Sequence, residues 1–422
     1  MQQRTTGWGR LPRLHTLDSW AKYRNYRFLW TANFCANSAQ WLQLLTLGWL
    51  VHDLTVGSSS SPFQVITVGG LVTLPVLLVG PWAGVLGDRV DRRKLLMATH
   101  TALAAVAAVF ALLVATDRVQ ESWHVYVYAL VSGSFRTIAM PTQQSLIANT
   151  VPRESLVNAY AINVFTIPGT RIMGPFVGGI LIATLGFTWN FAIEAALYAT
   201  AVFVLLWLHT PYRQTATAVQ QSPLSSLKEG IGYVWKGERV IFNLVILGLI
   251  PNVLLHPVWF LIPIFTSDVL DKGADFGGYL VATTGLGGFI SALTIASVGF
   301  IFRKGMVCLV AAGVSSVFNI LFARSEWLVL SFIILGLMAF SQGTFRTTNG
   351  ALIQLLAPDA MRGRITSIQN YSQGFVPFSS LLIGLFAWHT NSAPLASTVV
   401  GIVGVALSGL FFITYHKVRQ LE

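Results

Sequence analysis

The sequence predicts an all-α membrane protein, with twelve transmembrane helices arranged as two pseudo-symmetric six-helix bundles. Three observations carry that expectation. Of the 422 residues, 54% are hydrophobic and only 10% are charged, against about 25% charged in an ordinary soluble domain. The apolar residues gather into runs of the length, about 20 residues, that a helix needs to cross a bilayer. The basic residues fall in short gaps between those runs, chiefly in every second gap.

Taken in order, the runs lie at about 28–51, 63–84, 95–116, 123–148, 158–184, 188–209, 240–266, 277–301, 305–323, 327–355, 365–388 and 394–415. No charged residue stands between Arg364 and Lys417, so the last two are divided by the turn sequence Asn391-Ser392-Ala393-Pro394. This gives an N-terminal segment 1–27, a first bundle 28–209, a linker 210–239, a second bundle 240–415 and a tail 416–422. In the linker, Leu224, Leu227, Ile231 and Val234 fall on one helical face, as in a surface helix lying on the membrane. Leu17, Trp20 and Tyr23 suggest another interfacial helix before the first run. Residues 1–27 have no apolar core or cleavage site, so they do not read as a cleavable signal.

Basic residues orient the chain. With the N-terminus in the cytoplasm, the outer loops hold only Arg118, Lys272 and Arg324, and all other basic residues outside the runs face inward. An even number of spans follows, with both termini cytoplasmic. The net charge of +11 does not point to nucleic acid, because the charges are scattered among the gaps instead of covering one solvated face. Cys35 and Cys308 lie inside apolar runs without disulfide or metal-ligand spacing, so no metal site is expected.

The two bundles repeat each other. Gly133-Ser134-Phe135-Arg136-Thr137 in the fourth run matches Gly343-Thr344-Phe345-Arg346-Thr347 in the tenth. A proline follows each at the same side, in Val151-Pro152-Arg153 and Ala357-Pro358-Asp359. Such a duplication is the mark of transporters whose site lies between two halves.

Charged and polar side chains inside the runs are the candidate site. A charge at a helix centre costs at least about 2.5–3.5 kcal/mol, so it faces water or a partner. Arg136 and Arg346 come from equivalent helices and would bracket a central cavity, attracting an anionic substrate or controlling a proton site; the alternative is that each ties down carbonyls of neighbouring helices. Gln143 shares a face with Arg136, and Gln342 and Asn349 share one with Arg346. Arg171 lies in a tight glycine-proline segment that suits a structural role. Glu194 is the one clear intramembrane carboxylate, a candidate proton carrier together with Arg136, or a salt-bridge partner of Arg171. Asn33, Asn37, Gln40 and Trp41 on the first run, and Asn252 and His256 between Pro251 and Pro257 on the seventh, complete the expected cavity.

The segment Gly84-Val85-Leu86-Gly87-Asp88-Arg89-Val90-Asp91-Arg92-Arg93-Lys94 resembles the signature loop of the major facilitator superfamily, with Asp91 in place of a glycine. The resemblance implies the major facilitator fold and a conformational latch made by Gly84, Asp88, Arg89, Arg92 and Arg93. The equivalent segment after the eighth run, Gly299-Phe300-Ile301-Phe302-Arg303-Lys304, lacks the aspartate, so a one-sided latch is expected. Gly169-Thr170-Arg171-Ile172-Met173-Gly174-Pro175-Phe176-Val177-Gly178 is similar to the glycine-proline motif of the superfamily's antiporters, with Gly174 and Gly178 spaced for close helix approach. Asn37-Ser38-Ala39-Gln40-Trp41-Leu42-Gln43 and Leu47-Gly48-Trp49-Leu50-Val51-His52-Asp53-Leu54-Thr55 resemble the first span of the bacterial branch that holds the enterobactin exporter and macrolide efflux proteins.

That resemblance implies a secondary-active exporter of amphipathic drug-like or siderophore-like molecules in the bacterial inner membrane. It would work as a monomer, without cofactor, on the proton motive force. The membrane acid that many of the superfamily's antiporters carry in the first or fourth span is absent here. An uptake or lipid-handling facilitator of the same fold is the first alternative, and a non-transporting receptor or scaffold the second. No phosphate-binding loop of an ATP-driven pump is present, and no loop holds a hydrolytic constellation.

Overall fold

The computed structural model describes residues 18–211, 229, 232–233, 235, 239–298, 303–358, 361, 365, 368–369 and 371–421; the side chains of 84, 85, 88, 164, 165 and 298 are also left undescribed. The amphipathic linker face and most of the segment after the eighth run lie outside the described residues. A helix stands at each place where the sequence predicts a span. The helices are α1 (Arg24–Leu54), α2 (Ser61–Thr73, continued by Pro75–Leu78 and Gly80–Arg89), α3 (Arg92–Ala115), α4 (Ser122–Thr150), α5 (Leu156–Leu185) and α6 (Phe187–Leu205). The second half holds α7 (beginning at Arg239–Leu249), α8 (Ala274–Val298), α9 (Lys304–Ala323), α10 (Leu328–Leu356), α11 (Val376–Thr390) and α12 (Ala393–Thr414). Among the described residues, nine helices are long and apolar enough to cross a bilayer, and the chain is a multi-pass membrane protein. The criterion misses α1 and α4 because of their polar side chains, and α11 because its regular part has 15 residues.

Local sequence explains where the helices stop. Gly186 takes a φ of +84° between α5 and α6, a backbone that a side chain would strain. Asn391 ends α11 in the left-handed region, and the Ser392 hydroxyl accepts the Leu395 N–H at 3.1 Å to start α12. The turn that divides the last two predicted spans is therefore real. Pro251, Pro257 and Pro263 each remove a helical N–H, and α7 continues through a wide turn at Ile250–Leu254, a tight one at His256–Leu261 and a second wide one at Phe265–Val269.

The segment predicted as the signature loop is mostly helix: Gly80–Arg89 runs on without a break and only Val90 and Asp91 turn the chain. Asp91, the departure from the superfamily pattern, caps α3 by accepting the Lys94 N–H at 3.1 Å. Arg92 donates to the Gly87 carbonyl at 3.3 Å, and Arg93 to the Leu205 and Leu206 carbonyls at 2.9 and 2.6 Å. Both arginines thus satisfy carbonyls at helix C-terminal ends, where cations are favoured.

Packing differs between the two faces of the membrane. On the side away from the termini, one apolar core takes residues from both halves, among them Leu47, Val51, Val65 and Ile66 of the first and Val258, Phe260, Phe265 and Ile383 of the second. On the side of the termini the cores are separate. One, with Tyr26, Leu96, Leu146 and Leu205, belongs wholly to the first half. The other, with Ile241, Cys308, Leu352 and Ile365, belongs wholly to the second. The halves are sealed on the far side, and no apolar core among the described residues joins them on the terminal side.

The tightest part of the seal is the crossing of α5 and α8. A Cβ at Gly179 would stand 2.6 Å from the Ala274 carbonyl oxygen and 2.9 Å from the Gly278 Cα; one at Gly278 would collide with the Pro175 carbonyl. Beside it, His52 Nε2 of α1 lies 3.8 Å from Asp268 Oδ1 of α7. Because backbone meets backbone, Gly278→Val should prop the far side open. A maleimide that cannot cross membranes should then label Gln40→Cys from the far side at least about tenfold faster, in a background lacking Cys35 and Cys308. Unchanged labelling would mean that this crossing does not set the closure.

Candidate functional site

Below the seal, between the halves, lies a cavity of about 230 Å³. Eight of the predicted cavity residues line it: Asn37, Gln40 and Trp41 from α1, Arg136 and Gln143 from α4, His256 from α7, and Gln342 and Arg346 from α10. Arg171 of α5 lines it as well. The repeat of the two bundles thus brings Arg136 and Arg346 to the walls of one space.

Three predicted cavity residues do not reach it. Asn33 is buried just before Ala36, the first residue of α1 that lines the cavity. Asn349 and Asn252 lie together against Gly248 instead. The wide turn at Ile250–Leu254 breaks the regular spacing that would have put Asn252 on the face of His256. Asn349, two turns on from Gln342 and on the same face of α10, is buried against Gly248 of α7.

The arginines are held in an unusual manner. None of the three guanidinium groups hydrogen-bonds or ion-pairs with another described residue, and no Asp or Glu lines the cavity. The alternative reading, a tie to backbone carbonyls, is not made among the described residues. Arg171 is clamped by rings: its guanidinium carbon lies 4.9 Å from the Trp41 ring centre and 5.2 Å from that of Trp259. Each such contact is worth about 0.5–2 kcal/mol, more as water is excluded. Trp41 is on α1 and Trp259 on α7, so the stack joins the two halves. Gly174 makes room for it, since a Cβ there would stand 2.8 Å from the Trp41 Cβ and 3.0 Å from the Ser38 carbonyl oxygen. Gly178 repeats the approach one turn on, against Leu42 and Leu45. Gly169 has open space beside it, while Pro175 sits against α8 through its carbonyl.

Glu194 is not in the cavity. It is the one fully buried Asp or Glu among the described residues. Its Oε1 accepts the Tyr128 hydroxyl at 2.8 Å, and its Oε2 has no partner. Arg171 is not its partner: the arginine is taken up by the tryptophans. One turn along α6, Tyr198 lines the cavity. The Tyr198 ring lies 5.8 Å from that of His100, whose Nε2 is 3.2 Å from the Gln143 Nε2. A row of polar groups therefore runs from the cavity wall, through Gln143, His100 and Tyr198, toward Glu194.

Sequence reasoning missed His100, Tyr198, Trp259 and Gln373, all of which line the cavity. A lone histidine inside the third apolar run was a usable signal for His100. Nothing marks Trp259 apart from the tryptophans that anchor helices at interfaces. Asp88, the centre of the predicted latch, has no described side chain, and its predicted partner at the start of the eleventh span lies largely outside the described residues.

Comparison with known proteins supplies the context. Residues 18–422 match the family described as transmembrane secretion effector. The chain is 24% identical over 401 residues to the staphyloferrin A transporter of Staphylococcus aureus (strain NCTC 8325 / PS 47), covering 93% of this chain and 97% of the relative. It is 27% identical over 390 residues to the enterobactin exporter of Escherichia coli O81 (strain ED1a), covering 90% and 92%. Among solved structures, a D-xylose–proton symporter superposes with a TM-score of 0.72 at 15% identity, over 93% of this chain and 98% of that one. A peptide-bound POT family transporter superposes with a TM-score of 0.73 at 10% identity, over 94% and 96%. These structural likenesses establish the fold.

The Glu194 site makes its own prediction. Tyr128→Phe removes the one hydrogen bond recorded for a buried carboxyl and should destabilise the protein by about 1–3 kcal/mol. Thermal unfolding in detergent checks this; an unchanged midpoint would show that the carboxyl finds another donor.

Proposed function

The chain belongs to the transmembrane secretion effector family of the major facilitator superfamily and is a membrane transporter, and from that premise we propose that it is a proton-coupled exporter of amphipathic, siderophore-like molecules. The observation that carries this reading is the asymmetric closure: a cavity sealed on the far side by a core that both halves share, with separate cores on the side of the termini. The excess of basic residues on the terminal side supports placing that side in the cytoplasm of a bacterial inner membrane. The cavity then loads from the cytoplasm. The two halves, residues 28–209 and 240–415, rock about it and release substrate outside, with the Asp88 segment latching the cytoplasmic side in the opposite state.

Trp41, Trp259 and Phe260 on the cavity wall suit an amphipathic ligand, and Arg136 and Arg346 suit an anionic one. The names of the two relatives, transporters of staphyloferrin A and enterobactin, agree with that chemistry. Glu194 is the proposed proton carrier, served from the cavity through Tyr198 and His100. A carboxyl enclosed in protein with one oxygen unpartnered is poised to gain or lose a proton as the helices around it move.

The test is efflux from de-energised cells loaded with a panel of fluorescent drugs and a catechol siderophore, followed after energy is restored, with a protonophore control. Protein-dependent efflux that the protonophore abolishes is expected. No efflux of any compound, with the protein verified in the membrane, would favour uptake or lipid handling. Glu194→Gln should slow efflux driven by a pH gradient at least about tenfold while substrate exchange across proteoliposomes continues. Equal loss of both would make Glu194 a structural residue.

A further inference from the structure

The contacts of Arg171 point beyond a scaffold. A guanidinium is planar, and all its N–H donors lie in that plane. The guanidinium carbon of Arg171 lies over the rings of both Trp41 and Trp259. Its Nε is buried without a hydrogen-bond partner, as are Nδ1 of His256 and Nε2 of Gln342 on the same cavity. Arg346 lies within electrostatic reach of Arg171, and His256 within reach of Arg136, Arg171 and Arg346 together. No carboxylate among the cavity-lining residues offsets this charge.

We propose that Arg171, packed on Trp41 and Trp259, is the anchor of an oxyanion site at the closed end of the cavity, one that takes the carboxylate, or an equivalent pair of adjacent anionic oxygens, of an aromatic substrate. The proposal rests on the cavity being the substrate site, and it names the chemistry recognised there. A planar fork of donors matches a carboxylate edge to edge, which a lysine in the same place would not do. Arg346 supplies a second cation on the opposite half, and Trp41, Trp259 and Phe260 give the flat apolar part of the ligand a wall to rest on. The glycines of α5 then have a function besides packing: Gly174 lets Trp41 come close enough to hold the guanidinium.

The experiment compares rhodamine B, which carries a free carboxylate, with its ethyl ester, which does not. Binding to the purified full-length protein in lipid nanodiscs is read by fluorescence anisotropy. The parent should bind the acid at least about tenfold more tightly than the ester, the size of one charge-assisted hydrogen bond. Arg171→Gln should bring the two affinities within about twofold while binding of the ester persists. Arg171→Lys keeps the charge without the fork and stands in should the glutamine variant misfold; it should show a smaller preference than the parent. An acid preference that survives in both variants overturns the proposal. So does an equal loss of affinity for both dyes, or a parent that does not prefer the acid. The assay uses no energised membrane. Selective binding without efflux from cells would therefore sink the exporter reading alone, and efflux with binding indifferent to Arg171 would sink this one alone.

Discussion

Everything about the cavity depends on backbone meeting backbone where α5 crosses α8. Gly179 and Gly278 leave no room for a Cβ, so the two helices approach more closely than side chains would allow. That contact closes the far side and fixes the depth at which the cavity ends. It also sets the position of everything one or two turns below it on α5. Arg171 is two turns down the helix from Gly179, and Gly285 of α8 packs against its backbone. In lipid the hydrophobic effect does little to drive helices together, so small residues at a crossing decide which state of the protein is held.

The second constraint is the cost of charge inside a membrane, and the chain meets it in two ways. The arginines stay in the cavity, where aromatic faces and space for polar ligand surround them. Arg346 is exposed there, between the buried Phe345 and the exposed Thr347. Glu194 takes the opposite course and is wholly enclosed, with one tyrosine hydroxyl for company. Keeping positive and negative groups apart is costly, because an ion pair between them would have lowered both penalties. A protein that only needed stability would have paired Arg171 with Glu194, which lie on adjacent helices. Their separation leaves each free to exchange its partner.

Much of this was legible in the sequence, for physical reasons that vary from residue to residue. The length of apolar runs and the spread of basic residues gave the spans, because the bilayer constrains both. Arg136 and Arg346 were found because a duplicated motif repeats its geometry as well as its letters. Asn252 leaves the expected face because prolines reset the phase of α7, whereas Asn349 keeps the face of Gln342 and packs against Gly248 of α7. Arg171 was read as scaffold because its neighbours in sequence are glycine and proline. Its partners, Trp41 and Trp259, come from helices that only the assembled halves bring near. The latch segment reads as a loop because glycines and charges resemble a turn, while Arg92 on the Gly87 carbonyl of α2 and Arg93 on the last carbonyls of α6 make contacts that no local pattern reveals.

The arrangement of α1 bears on how energy could reach the substrate. Trp41 of α1 stacks on Arg171 at the cavity, and Gln43, two residues on, is buried beside the Tyr128 hydroxyl that holds Glu194. One helix thus touches both the proposed anion site and the proposed proton site, from faces about 200° apart. A gain or loss of charge at Glu194 changes what Tyr128 and Gln43 must satisfy, and any rotation of α1 that answers it moves Trp41 against Arg171. Trp259 reaches the stack from α7 of the other half. The stack therefore joins the two halves and, under the proposed mechanism, would respond both to protonation of the first half and to the approach of the second. Coupling of this kind needs no long pathway, only a rigid helix with a distinct set of contacts in each state.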